Sequence, residues 1–205
     1  MAANLDRDRI VDAGREVVRQ GGWTALSLRS VAARMSVTPM ALYRHVTDSD
    51  ALRSSVLEAI VHDLAEVVET GDVHADLTGW TRRFHADLDR YPGVAAHLLT
   101  AWFDCPPMLE RIEALLAMLA GHGIDGFEAV ACVNALMMYA LMRSEAERVV
   151  RQAGVVRRTL RTAGSRPLPH LRALAEHYTT ARFDAHFEYG LCALVEGMQL
   201  AVATR

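Results

Sequence analysis

Residues Ser27 to Val46 read SLRSVAARMSVTPMALYRHV. The pattern predicts two short helices joined by a tight turn. Ser27 suits the N-cap of the first, because its hydroxyl can accept an orphan backbone N–H. Leu28, Val31, Ala32 and Met35 recur at helical spacing and give that helix an inward face. Ser36 and Val37 make the turn, with Val37 as its apolar plug. Thr38 then stands where a cap is needed, and Pro39 follows at the first helical position, where its missing N–H costs nothing. Leu42 and Val46 point inward, which leaves Met40, Tyr43, Arg44 and His45 on the opposite side.

That outer side carries the chemistry. A helix of this width fits the DNA major groove, and its first residues reach base edges. Thr38 can bond a phosphate or a base, Pro39, Met40 and Ala41 suit a thymine methyl, and Arg44 can reach a guanine or a phosphate. Tyr43 and His45 can each give one hydrogen bond to the DNA backbone, which positions without specifying. With Ser27, Arg29 and Ser49 flanking the turn, the candidate DNA-contacting set is Ser27, Arg29, Thr38, Pro39, Met40, Tyr43, Arg44, His45 and Ser49. The same spacing also fits an ordinary helical hairpin in a bundle, with Tyr43 half-buried. The competing class is therefore a helical small-molecule-binding protein or enzyme whose helix-turn-helix does not bind DNA.

The stretch resembles the DNA-binding region of TetR-type transcriptional repressors. In that family a helix like Arg9–Gln20 precedes, then a Gly, a short loop and a pattern like LSLRSVAARMSVTPMALYRHV (residues 26–46), then a long helix opening near Asp48. All these pieces are present in order over residues 8–64. Where the family often places a phosphate-contacting Lys, this chain has Ser49 between Asp48 and Asp50. There a hydroxyl or the helix N-terminal amides can hold a phosphate instead. The resemblance implies a ligand-responsive regulator of transcription, most simply a repressor. It would bind a palindromic DNA operator as a homodimer and be released by a small apolar effector.

Composition narrows the classes. The 205 residues are 51% hydrophobic and 23% charged, within the range of globular proteins. Net charge is -3, and residues 1–50 carry seven Arg against six acidic residues. DNA binding must then come from arranged charges and not from bulk positive charge. All 22 basic residues are Arg. The three cysteines, Cys105, Cys132 and Cys192, show no zinc spacing and no disulfide framework, so buried thiols in a reducing cytoplasm are expected. No signal peptide is expected, and no apolar run approaches the ~20 residues needed to span a bilayer.

Along the chain, residues 6–20 predict a first helix opened by Asp6 or Asp8, with Ile10, Ala13, Val17 and Val18 buried and Gly21-Gly22 as terminator. Trp23 and Leu26 close over the small core of the DNA-binding unit. Residues 48–70 read as one linking helix, with Leu52, Val56, Ile60, Leu64 and Val67 on one face. The domain boundary falls at Gly71–Asp76, dividing a DNA-binding domain at 1–48 from a ligand-binding and dimerisation domain at 71–205. In the second domain, helices are expected over 77–90, from Val94 to about Phe103, from Met108 to Ala120, over 125–150, from Leu171 to Tyr178, and over 183–203. The Arg-, Gly- and Pro-rich stretch 153–169, with Arg157, Arg158, Arg161 and Arg166, reads as a solvated loop. The fold class is all-α, with nine to ten helices and no strand-like alternation.

The helix over 125–150 is apolar on more than one face, through Phe127, Val130, Ala131, Asn134, Met137, Met138, Leu141 and Met142, and must bury both. The last helix carries Phe187, Leu191, Leu194, Met198 and Val202, with Gly190 and Gly197 permitting close approach. By the resemblance, these two helices pair with their copies in a homodimer. The candidate ligand-binding residues are Trp80, Phe84, His97, Trp102, Phe103, Asn134, Met137, Met138 and Met142, with Tyr139 beside them. A mostly apolar lining with a few placed polar groups is the signature of a small-molecule site. His97 follows Tyr91-Pro92-Gly93 at a spacing similar to that of a magnesium-binding His in the tetracycline-sensing branch of the family. The companion polar residues are not matched, so His97 is read as a pocket or core histidine, with no metal and no cofactor.

An enzyme is not expected. There is no HExxH pair, no glycine-rich phosphate loop and no GxSxG elbow. His85, Asp87 and Asp89 lie close in sequence, but residues two apart do not share a helical face, and they are read as surface.

Overall fold

The computed structural model describes residues 5–153, 168–170, 177 and 180–203. Among them are nine α-helices and no strand. We number them α1 (Arg7–Gly21), α2 (Leu28–Arg34), α3 (Pro39–Leu42), α4 (Ser49–His62), α5 (Val73–Leu88), α6 (Val94–Ala101), α7 (Pro106–Gly121), α8 (Gly126–Ala153) and α9 (Phe183–Ala203). The expected helix from Leu171 to Tyr178 and the arginines of 153–169 lie outside the described residues.

The first three helices follow from local chemistry. Asp6 caps α1 by accepting from the Arg9 N–H at 2.9 Å. Ser27 caps α2, and Ser30 answers from three residues on, accepting from the Ser27 N–H at 3.0 Å; together they form a capping box. Between α2 and α3 the chain turns through Ser36, whose φ of 57° is the one left-handed non-glycine conformation among the described residues. Such a conformation costs an L-residue roughly 1–2 kcal/mol, partly offset by the extra entropy a glycine would lose. Ser36→Gly is therefore expected to stabilise the fold by about 0.5–1 kcal/mol, read as a raised thermal midpoint; a lowered midpoint would contradict this account.

α1 packs on α2 and α4, and α2 on α3. Gly14 makes the α1–α4 approach possible: a Cβ there would lie 2.5 Å from Val56 Cγ2. Arg15 of α1 pairs with Asp63 just past the end of α4. Leu28, Val31, Leu42, Val46, Leu52 and Val56 are all buried in this cluster.

The linking helix stops at His62, not near residue 70. The Asp63 N–H turns back to the Ile60 carbonyl, and the chain then runs without helix to Asp72. Leu64 and Ala65 remain buried, but the Ala65 carbonyl accepts from the Trp80 indole N–H at 3.2 Å. A tertiary partner thus takes a group that a continued helix would have used. The buried Asp76 holds the same segment by accepting from the Thr70 N–H at 2.9 Å and from the Thr70 hydroxyl at 2.6 Å. Burial would raise the Asp76 pKa, but the hydrogen bonds from Thr70 outweigh it and hold the carboxyl below its usual range. α5 consequently begins at Val73, capped by Asp72, four residues earlier than expected. α7 likewise begins at Pro106 and not Met108, with proline at its first position.

α8 is the axis of the larger body and packs against α5, α6, α7 and α9. Because α5 lies against both α8 and α9, it buries two faces. His85 is therefore buried, contrary to the surface position expected for it, and its ring stacks on Phe187 at 4.0 Å between centroids. Asp89 is exposed, as expected.

Candidate nucleic-acid interface and effector cavity

The helix-turn-helix presents a compact polar and apolar face. Thr38, Pro39, Met40, Tyr43, Arg44, His45 and Ser49 are all exposed, Met40 at 75% and Tyr43 at 50%. Tyr43 is thus not packed as a bundle residue would be. Thr38 stands at the N-cap of α3, yet its side chain makes no capping hydrogen bond, contrary to the cap expected of it. Its hydroxyl is left for an external partner. Among the described residues, the side chains of Tyr43, Arg44 and His45 have no intramolecular hydrogen bond or ion pair. Leu42 and Val46, both buried, fix the backbone beneath them. Arg29 is exposed at the start of α2, while the Ser27 hydroxyl is engaged in the capping box. Ser49 begins α4 beside Asp48, whose carboxylate already accepts from the Ala51 N–H at 2.8 Å. That carboxylate competes with a phosphate for the free amides at this helix start.

The other candidate residues separate into two groups. Trp102, Phe103 and Asn134 line a cavity of about 350 Å³, completed by Ile112 and Leu116 of α7 and Val130 and Val133 of α8. The Trp102 and Phe103 rings lie 4.1 Å apart at 46°. The lining holds no charged side chain and one amide, that of Asn134. Trp80, Phe84 and Met137 are instead fully buried in the core, with the Trp80 and Phe84 rings stacked at 4.9 Å. Met138 is half-buried against that core, and Met142 is 60% exposed. Ile112, Leu116, Val130 and Val133 were not among the expected ligand-binding residues, because in the sequence they read as ordinary packing faces of their helices. The available signal was that α7 and α8 each carry apolar residues beyond the stripe needed to pack one on the other.

His97 belongs to neither group. Its ring stacks on Trp23 at 4.7 Å, and the Arg53 guanidinium lies over the same indole at 5.6 Å. Burial, with Arg53 nearby, lowers the His97 pKa, so the ring is neutral at neutral pH. Trp23 also donates its backbone N–H to the Pro92 carbonyl at 2.8 Å. The loop after α1 is thus clasped to the turn that starts α6. Gly93, in the left-handed region at φ 85°, lets this turn approach, since a Cβ there would meet Trp23 Cβ at 3.3 Å. The far end of α6 runs directly into Trp102 and Phe103 at the cavity.

Residues 67–202 match the family described as Tetracyclin repressor-like, C-terminal domain. The chain belongs to the TetR family. It is 30% identical over 201 residues to the class A tetracycline repressor protein from transposon 1721 of Escherichia coli, covering 95% of this chain and 90% of that protein. An HTH-type transcriptional regulator of Saccharopolyspora erythraea is 29% identical over 206 residues, covering 95% of this chain and 84% of that one. The Streptomyces coelicolor TetR family protein ActR, solved in complex with actinorhodin, superposes with a TM-score of 0.81 at 23% identity, over 97% of each chain. This chain is a TetR-family transcriptional regulator with a helix-turn-helix unit for DNA. Its relatives are regulators and not enzymes. Among the described residues no helix is long and apolar enough to cross a membrane.

Proposed function

We propose that this TetR-family regulator binds a near-palindromic operator as a homodimer, and that a small, uncharged, largely apolar effector releases it. The carrying observation is the exposed set Thr38, Met40, Tyr43, Arg44 and His45, whose side chains find no hydrogen-bond or ion-pair partner among the described residues while the backbone beneath them is fixed by Leu42 and Val46. Residues 1–48 act as the DNA-binding domain, α4 and the segment after it as the link, and 71–205 as the effector-binding and pairing domain, in the cytoplasm.

The homodimer reading is supported by apolar side chains left in solvent on α8 and α9. Phe127 is 85% exposed, Val130 56%, Met142 60% and Tyr189 81%. A face of that kind on two neighbouring helices is suited to burial against its own copy. Two recognition turns related by a two-fold axis then meet half-sites about 34 Å apart.

The cavity supports the effector class. Its lining of aromatic and aliphatic side chains offers no counter-charge, so the buried part of a ligand must be uncharged. Asn134 can give and accept hydrogen bonds with one polar edge. α6 is the natural route for the signal, with Trp102 and Phe103 at one end and the Trp23–Pro92–His97 clasp at the other. A ligand shifts the DNA-bound state only by binding the two arrangements unequally, and DNA must then weaken the ligand by the same factor.

A gel shift with the DNA flanking the protein's own gene tests this reading, followed by selection from random duplexes. Binding to a near-palindrome that falls steeply as salt rises is expected, because each neutralised phosphate releases counterions. Failure to bind any selected duplex at low salt would remove the DNA-binding reading of this face.

A further inference from the structure

The lower half of α8 carries a buried ionic cluster that neither the DNA face nor the effector cavity uses. Glu147 is only 2% exposed, and its Oε2 lies 3.8 Å from His85 Nε2, at 8% exposure. Neither atom makes a hydrogen bond to a described residue. The other Glu147 oxygen accepts from Arg143, which also donates to the Phe183 carbonyl at 3.4 Å, at the start of α9. Arg151 lies 3.6 Å from Glu147 Oε2 and over the Phe183 ring at 5.7 Å. The His85 ring itself is stacked on Phe187, the residue whose carbonyl accepts from the Tyr139 hydroxyl at 2.9 Å. One carboxylate therefore serves two guanidiniums and faces a histidine, and all of these groups grip the first two turns of α9.

We propose that this cluster is an acid-released latch: α9 is docked on α5 and α8 while His85 is neutral, and protonation of His85 loosens it. The argument is charge counting. Among the described residues, the charged groups near His85 are Asp89 after α5, Arg143, Glu147 and Arg151 on α8, and Asp184 and Glu188 on α9. Glu188 is already held by Arg82 through two bonds of 2.7 and 2.6 Å. Asp89 and Asp184 are exposed and screened by solvent. Among the described residues Glu147 is the buried carboxylate of this cluster, with Asp89 and Asp184 acting from the solvent side, so a cationic His85 becomes a third claimant on the group that already holds Arg143 and Arg151. Drawing Glu147 toward His85 weakens its hold on Arg143, and with it the contact from Arg143 to the Phe183 carbonyl.

The direction with pH follows. Burial lowers the His85 pKa; Asp89 and Asp184 oppose the shift, and Arg143 and Arg151 reinforce it. The unfolded or undocked chain takes a proton near pH 6.5 while the docked state resists it, so docking is complete above that pH and is lost as pH falls below it. Burial also raises the Glu147 pKa, against the pull of Arg143 and Arg151. By the same linkage a carboxyl whose pKa is raised in the docked state takes its proton more readily there than undocked, so Glu147 opposes acid release and His85 carries it.

The test is hydrogen exchange of the intact protein, without DNA, at pH 7.5 and 5.5, corrected for the intrinsic pH dependence of exchange. Protection over residues 183–195 is expected to fall at the lower pH, by up to about tenfold, the ceiling set over this interval by a histidine that titrates near 6.5 when undocked, with no comparable change in α1 or α4. His85→Phe keeps a ring on Phe187 but cannot titrate, and protection over 183–195 should then no longer fall at the lower pH. Equal acid sensitivity in the wild type and His85→Phe would overturn the latch. So would acid-insensitive protection in the wild type, which needs no variant to fold. The consequence for pairing through α9 rests on the homodimer reading and is measured separately by sedimentation. An acid-sensitive α9 in a chain that is monomeric throughout would keep the latch and remove the dimer.

Discussion

Arg44→Ala is expected to weaken operator binding by about tenfold or more, and Tyr43→Ala by a similar factor, with thermal midpoints unchanged. A bidentate contact from an arginine to a base contributes about 1–3 kcal/mol of discrimination, and loss of a phosphate contact weakens all sequences alike and flattens the salt slope by about one unit. Both side chains are exposed and neither has a partner among the described residues, so truncation removes nothing from the fold. The two variants also separate the roles argued for them. Arg44→Ala should narrow the gap between operator and unrelated duplex if Arg44 reads a base, whereas Tyr43→Ala should leave that ratio intact. Titration of each variant against operator and competitor at two salt concentrations reads both quantities. Unchanged operator affinity in both would remove the outer face of α3 from the interface.

Trp80→Ala is expected to have the largest effect on stability, a loss of about 3–5 kcal/mol. For a chain of this size that is a fall of roughly 6–20 °C in the thermal midpoint. Trp80 is 1% exposed, stacks on Phe84, and holds the Ala65 carbonyl through its indole N–H. Truncation opens a cavity among side chains that cannot collapse into it and leaves the Ala65 carbonyl in the core without its donor. Trp80→Phe should recover most of the packing but not that hydrogen bond, placing it between the two. A midpoint within one or two degrees of wild type for Trp80→Ala would show that the segment after α4 is not held from α5.

Much of the geometry of the helix-turn-helix was legible in the sequence because its determinants are local. Ser27, Pro39 and the spacing of Leu28, Val31, Leu42 and Val46 act within a few residues of themselves, so reading them needs no knowledge of the rest of the chain. The effector region was less legible. Trp80, Phe84 and Met137 have the same composition as a pocket lining, yet they fill the core, whereas Trp102, Phe103 and Asn134 open onto a cavity. A helical wheel says which residues share a face; it does not say whether the opposite surface fills the space between them. His85 illustrates the same limit, since its burial depends on α9 arriving more than ninety residues later in the chain.

The all-helical architecture and the helix-turn-helix follow from caps, turns and 3.6-residue periodicity, which are short-range properties, and the family from the resemblance carried by residues 8–64. The tertiary structure alone decided where α4 ends, that Trp23 reaches Pro92 and His97, which aromatic side chains border empty space, and that Glu147 and His85 face each other. Each of these depends on groups far apart in the chain competing for the same hydrogen bond, charge or volume, and that competition is resolved only when the helices pack.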